Sequence, residues 1–201
     1  MCKIICITNR KLCRTSFPEQ LKNIAAANPD LVILREKNMS EKDYSELAKE
    51  SSDICRGYGV TFAVNSFWKT ATEIGIERVH LPLHILRELS PEEKAQFAVI
   101  GTSCHSTADA VEAEKLGANY IIAGHIFETD CKKGLAGRGL TFLEEVKKSV
   151  ALPVYAIGGI NVQNAADCIK AGADGICIMS GFMQAENVSG LMDELRAKIN
   201  F

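Results

Sequence analysis

Eight short apolar, β-branched runs recur along the chain, at residues 4–8, 31–35, 61–64, 78–81, 98–102, 120–124, 154–157 and 175–179, with longer mixed stretches between them. Near-continuous apolar runs of this length suit strands buried on both faces, as in a parallel sheet. The intervening stretches carry helical patterns. Residues 44–50 are amphipathic. Residues 107–116 have Ser106 or Thr107 as a cap and Gly117 as a stop, 165–171 end at Gly172, and 188–199 form the last helical pattern. Ser90-Pro91-Glu92-Glu93 reads as another helix start. Segments 113–120 and 168–175 echo each other as helix end, glycine, tight turn and buried strand. The pattern predicts an α/β chain folded as a single (β/α)8 TIM barrel, with one domain over residues 1–201. An open doubly wound sheet is the alternative, but no Gly-x-Gly-x-x-Gly opens a first helix.

Bulk properties narrow the function. The chain is 201 residues long, 47% hydrophobic and 24% charged, with a formal net charge of −2. Such a balance gives no electrostatic footprint for nucleic acid. No apolar run approaches a membrane span. The N-terminal run passes directly into Thr8-Asn9-Arg10-Lys11 without the features of a signal peptide, so a cytoplasmic location is expected. The eight cysteines contain no Cys-x-x-Cys pair, so reduced structural thiols are expected rather than a zinc site. A homodimer is left open, since barrels of this size often dimerise, although no exposed apolar face is legible.

Active sites of such barrels lie at the C-terminal strand ends, and phosphate often binds after strands seven and eight. Strand seven ends in Ile157-Gly158-Gly159, whose amides can approach an anion closely at a helix start. Strand eight ends in Met179-Ser180-Gly181, which adds a hydroxyl. Arg35 and Lys37 stand at the end of strand two, and only one of them is expected to face inward. Strand three delivers Asn65 and Ser66; strand five delivers Ser103, Cys104 and His105. His105 is also readable as a helix cap. His80 and His84 have helix-like spacing, but Pro82 between them argues against a two-histidine metal face. Strand six carries His125 into a polar loop with Thr129, Cys131, Lys132 and Lys133. An imidazole titrates near neutrality, so His125 is the candidate proton carrier.

The motifs Leu34-Arg35-Glu36-Lys37, Gly101-Thr102-Ser103, Ala118-Asn119-Tyr120-Ile121, Ile157-Gly158-Gly159-Ile160 and Gly172-Ala173-Asp174-Gly175 appear in order. Together they resemble the thiamine phosphate synthase superfamily over essentially the whole chain. The resemblance implies a (β/α)8 barrel. In the synthases it implies coupling of a pyrimidine diphosphate to a thiazole phosphate, with Mg²⁺ on the pyrophosphate. Two departures stand out. The synthase Asn-Asp is Asn65-Ser66 here, and the acid after strand four is missing from Leu81-Pro82-Leu83-His84. The strand-six stretch 124–134, Gly-His-Ile-Phe-Glu-Thr-Asp-Cys-Lys-Lys-Gly, is similar to the sister group, the TenI-like thiazole tautomerases. That similarity implies a cofactor-independent isomerase, with His125 moving a proton on a phosphorylated dihydrothiazole carboxylate. Gly158, Gly159, Met179 and Ser180 would then surround the phosphate, while Thr129 and Lys132 close over it. From charge rather than from the motif, Arg35 or Lys37 would hold the carboxylate; Asn65 and Ser103 complete the substrate-binding set, and Cys131 is a candidate acid/base partner for His125. A synthase with an unusual metal site and a non-catalytic regulatory barrel are the alternatives.

Overall fold

The computed structural model describes residues 2–132 and 134–200, the side chain of Cys131 excepted. Eight parallel strands close into a barrel in chain order: β1 Lys3–Ile7, β2 Leu31–Leu34, β3 Phe62–Asn65, β4 Arg78–Pro82, β5 Val99–Cys104, β6 Tyr120–Gly124, β7 Val154–Ile157 and β8 Gly175–Ile178. β8 pairs with β1, which closes the ring. The expected alternation of strands and helices is what forms, and the open sheet is excluded. β6 and β7 have the bounds read from the sequence, whereas β5 runs on to Cys104.

The helices surround the barrel: α1 Phe17–Ala26, α2 Glu41–Gly57, α3 Trp68–Glu73, α4 Leu83–Glu88, α5 Pro91–Lys94, α6 Thr107–Lys115, α7 Gly139–Ser149, α8 Ala165–Lys170, α9 Ser180–Gln184 and α10 Val188–Ile199. α5 begins with a capping box, in which Ser90 and Glu93 satisfy each other's backbone amides. Ser106 caps α6 by accepting from the Asp109 N–H at 3.0 Å, so His105 is not its cap. α1, α3, α4, α7 and α9 leave weak signals in the sequence. Three of them have six residues or fewer, too short to display a 3.6-residue period.

Side chains on each strand alternate between two cores. Ile5, Ile7, Ile33, Ala63, Tyr120, Ile122 and Cys177 fill the lumen. Ile4, Cys6, Val32, Leu34, Val64, Val79, Leu81 and Ile121 face the helices. In the lumen Tyr120 stacks near His80, with ring centroids 5.6 Å apart, and lies 5.5 Å from Tyr155. Gly101 makes room for it: a Cβ there would lie 2.0 Å from Tyr120 Cζ. The seven described cysteines are free thiols. No described helix is long and apolar enough to cross a membrane.

The echoed segments are one device used twice. Gly117 and Gly172 both take positive φ, and the next amides bond back to Ala113 and Cys168 carbonyls. Two residues further on, Asn119 accepts from the Ile100 N–H at 2.7 Å and Asp174 from the Val154 N–H at 2.8 Å. Asp30, just before β2, accepts from the Ile4 N–H at 2.9 Å in the same way. Each clamp ties the start of an even-numbered strand to the odd-numbered strand before it. Asp174 also binds Lys147 Nζ at 2.7 Å.

Removing a buried amide's partner costs on the order of 1–3 kcal/mol. Asp174→Ala is expected to lower the unfolding free energy by about 2 kcal/mol, read from urea denaturation, because Val154 is fully buried. A loss within the usual scatter of surface substitutions, roughly 0.5 kcal/mol, would show that the clamp carries no weight.

Candidate active site

A cavity of about 300 Å³ opens at the C-terminal strand ends. Its floor is apolar: Ile7, Ile33, Ile122, Ile157 and Cys177. Its wall carries Arg35, Lys37, Asn65, His80, Pro82, Ser103, His105, Gly124, His125, Thr129, Lys132, Gly158, Gly159, Met179 and Ser180. The structure brings the candidate residues to one cavity, except Ser66 and Cys104, which do not line it, and Cys131, whose side chain lies outside the described residues, as does all of Lys133.

Both Arg35 and Lys37 line the cavity, which corrects the expectation that only one would. Residues two apart share a face of an extended chain; the residue between them points away. Glu36 is that residue. It is buried, accepts from Thr8 Oγ1 at 3.1 Å and from the Arg10 N–H at 2.8 Å, and pairs with Arg10 Nε at 3.8 Å. Thr8 Oγ1 in turn accepts from the Arg35 N–H at 3.0 Å. The outward carboxylate is thus fixed, and the two cations flanking it are directed inward. Lys37 feels the consequence: Arg35 above all, then burial, then Lys132, hold its ammonium below the usual lysine range.

The histidines divide the labour differently from the sequence expectation. His80 lies on β4 and belongs to the cavity, whereas His84 sits on α4 outside it, so the pair makes no metal face. His80 Nε2 lies 2.8 Å from Ser103 Oγ and Nδ1 lies 3.3 Å from Tyr120 Oη. Burial, with a smaller contribution from Arg35, pushes its pKa down to about 3, so the ring is neutral. It is a poor base and a firm support for the Ser103 hydroxyl. His105 also lines the cavity, with Nδ1 2.7 Å from the Gly124 carbonyl oxygen. Its helix-like spacing to His84 obscures His80 in the sequence; its signal is parity, since it sits opposite Asn65 and Gly101 in the ladder.

His125 follows a cis Gly124–His125 peptide. Its Nε2 lies 3.2 Å from the Leu135 carbonyl oxygen, and its Nδ1 is buried without a partner among the described residues. The backbone on either side is tied as well: the Arg138 N–H donates to the His125 carbonyl at 3.0 Å, and the Gly139 N–H to Ile126 at 2.9 Å. In this conformation the residue draws the two ends of the loop together, joining 125–126 to 135, 138 and 139.

The Gly158-Gly159 pair has a packing reason of its own. The Ile126 N–H donates to the Ile157 carbonyl at 2.8 Å and the Phe127 N–H to the Gly158 carbonyl at 3.0 Å, so the strand-six loop lies directly on this turn. A Cβ on Gly158 would meet His125 Cβ at 2.3 Å, and one on Gly159 would meet the Glu128 carbonyl at 2.3 Å. Both residues take positive φ. The pair does not open a helix, because α8 begins at Ala165. Asn161 and Asn164 bridge the gap with turn hydrogen bonds.

Magnesium is held by carboxylates together with substrate phosphates. Among the described residues no Asp or Glu lines the cavity, and no three or more His, Cys, Asp or Glu side chains are grouped to hold an ion. Glu128 and Asp130 line an adjoining outer groove, which shares Thr129, Lys132, Gly159, Ile160 and Ser180 with the cavity but places both acids outside it. The residues of the cavity do not fit the ion. What they offer is an apolar floor, three cations and hydroxyl and amide donors: a site for a small anionic, partly apolar molecule.

Comparison with known proteins corrects one expectation. The chain is 31% identical to a thiamine-phosphate synthase of Clostridium tetani, covering 99% of this chain and 96% of the relative. It is 34% identical to one of Clostridium acetobutylicum, covering 92% and 89%. A solved structure described as thiamine phosphate pyrophosphorylase from Pyrococcus furiosus superposes with a TM-score of 0.84 at 33% identity, covering 98% of this chain and 95% of that one. These full-length likenesses overturn the reading as a TenI-like thiazole tautomerase, which rested on the strand-six loop and the two missing acids. The isomerase assignment to His125 goes with it. The family described as thiamine monophosphate synthase matches residues 4–182. With nearly the whole barrel inside that match, the chain belongs to the thiamine monophosphate synthase family.

Proposed function

We propose that this chain is a transferase that couples a pyrimidine bearing a methylene diphosphate to a thiazole phosphate, giving thiamine phosphate and pyrophosphate. One observation carries the reading: Arg35, Lys37 and Lys132 line one apolar-floored cavity at the barrel mouth. The likeness to synthases over nearly the full chain supports it.

The chemistry asks for little acid–base work. The thiazole ring nitrogen forms a bond to the methylene carbon as the bond from that carbon to the diphosphate oxygen breaks. The electron pair leaves with pyrophosphate, and no proton need move. The demand falls on the developing anion. A unit charge pair at about 4 Å is worth roughly 1 kcal/mol in water and about 4 kcal/mol at an effective dielectric near 20. Cations already directed at the leaving group give that stabilisation without reorganisation. Ser103, held by the neutral His80, supplies a directed hydroxyl for the pyrimidine, and the isoleucine floor supplies apolar contact. Ser180 and the amides of Gly158 and Gly159 are the groups to hold the thiazole phosphate.

Incubation with both substrates, followed by mass spectrometry for thiamine phosphate and an assay for released pyrophosphate, tests this. Arg35→Met is expected to lower kcat/KM by about 100-fold, the scale for losing one preorganised electrostatic partner. Ser103→Ala is expected to lower it by about tenfold, the scale of one hydrogen bond. Saturable binding of both substrates with no product in any buffer would replace coupling with a regulatory barrel.

The pH dependence has a worked sign. Lys37 is lowered in the fold relative to the unfolded chain, so between the two values the folded protein has already released its proton. Its contribution to stability therefore rises as pH climbs through that window. Its charge, and with it the hold on an anion, is lost over the same window. The alkaline limb of the kcat/KM profile should lie below the ordinary lysine range. Lys37→Arg should move it upward, because a guanidinium stays protonated. An unmoved limb would assign the titration to another group.

A further inference from the structure

We infer that the cavity grips a diphosphate with protein cations in place of a divalent metal ion, so that anion capture in this chain proceeds without magnesium. The inference takes the identity of the anion from the coupling reading above.

Four observations converge. First, among the described residues the wall is cationic and without a carboxylate: Arg35, Lys37 and Lys132 line it, and no Asp or Glu does. Second, the carboxylate closest in sequence is consumed elsewhere. Glu36 sits between two of the cations, yet it is turned outward onto Thr8 and Arg10. Third, the wall positions at the ends of β3 and β4 offer no ready ligand. Asn65 donates through Nδ2 to the His80 carbonyl at 3.1 Å and accepts through Oδ1 from Ser66 Oγ at 2.9 Å. Pro82 presents only ring carbons from its side chain. Fourth, none of the three cations has a carboxylate ion pair among the described residues.

Like charges gathered without an acid between them repel. Lys37 shows that repulsion, with Arg35 and then Lys132 opposing its protonation. A dication entering the same mouth would add to it. An anion would relieve it, and three cations match the charge of pyrophosphate near neutral pH. The arrangement therefore favours the free anion over its magnesium complex, because magnesium bound to pyrophosphate cancels the charge that the wall recognises.

The test is calorimetric titration of the intact protein with inorganic pyrophosphate, once in excess EDTA and once in excess magnesium. The expected result is binding in EDTA that weakens when magnesium is added. Lys37→Met and Arg35→Met should each weaken the EDTA-state affinity by at least about tenfold, while Lys37→Arg, which keeps the charge, should bind within a few fold of wild type. Circular dichroism establishes that each variant is folded. Binding that appears only with magnesium overturns the inference, most directly if Asp130→Asn or Glu128→Gln in the outer groove abolishes it. So does EDTA-state binding that ignores both methionine variants. Coupling assays run beside the titration separate the two claims. Pyrophosphate bound in EDTA with no coupling under any condition retires the coupling reading and keeps this one, whereas coupling that needs magnesium for pyrophosphate binding does the reverse.

Discussion

In a closed parallel barrel each strand side chain has two destinations, the lumen or the helix layer, and neighbouring residues alternate between them. The whole site depends on that constraint at one place, the end of β2. Leu31 and Ile33 belong to the inner core, and the same parity carried past the strand brings Arg35 and Lys37 into the mouth. The opposite parity takes Glu36 outward, where Thr8, Arg10 and the end of β1 receive its carboxylate. A shift of one residue would exchange two cations for one acid in the cavity. The chain prevents this by pairing Ile33 with Ile7 and Ala63 on either side and by bonding the Arg35 amide to Thr8.

The other end of the barrel does different work. Asp30, Asn119 and Asp174 close amides at the starts of β1, β5 and β7, where a parallel strand begins with unpaired donors. These clamps lie on the N-terminal face, away from the cavity, and they let the mouth carry repelling charges on a scaffold secured elsewhere. That division between a stabilising bottom and a reactive top is general to barrels. In this chain it is written into the repeated turn that precedes β6 and β8.

Much of this was legible in the sequence, for physical reasons. Strands buried on both faces leave continuous apolar runs, so eight strands could be read directly, and strand ends in such a fold are necessarily site positions. Polar residues at those ends, from Arg35 to Ser180, reached the cavity accordingly. What failed were relations that need a face or a whole-chain comparison. Arg35 and Lys37 were set against each other although their spacing places them together. His80 was paired by helical spacing with His84, although a strand sets its neighbours as Asn65 and Gly101. The strand-six loop outweighed the rest of the chain and suggested an isomerase, while similarity spread over the full barrel points to the synthases.

The glycine pair after β7 shows why a local motif misleads in either direction. Gly158-Gly159 reads as a phosphate turn, and its amides do border the cavity. Yet the missing Cβ atoms are demanded first by the strand-six loop, which lies on the turn with His125 and Phe127 in contact range. The loop carrying Lys132 is in this way fastened to the same turn that offers amides to an anion, through the Ile126 N–H on Ile157 and the Phe127 N–H on Gly158. Cation and amide donors are positioned as one unit. A Cβ at Gly158 would meet His125 Cβ at 2.3 Å, so a substitution that touches no charge would still disturb the start of the loop that carries Lys132.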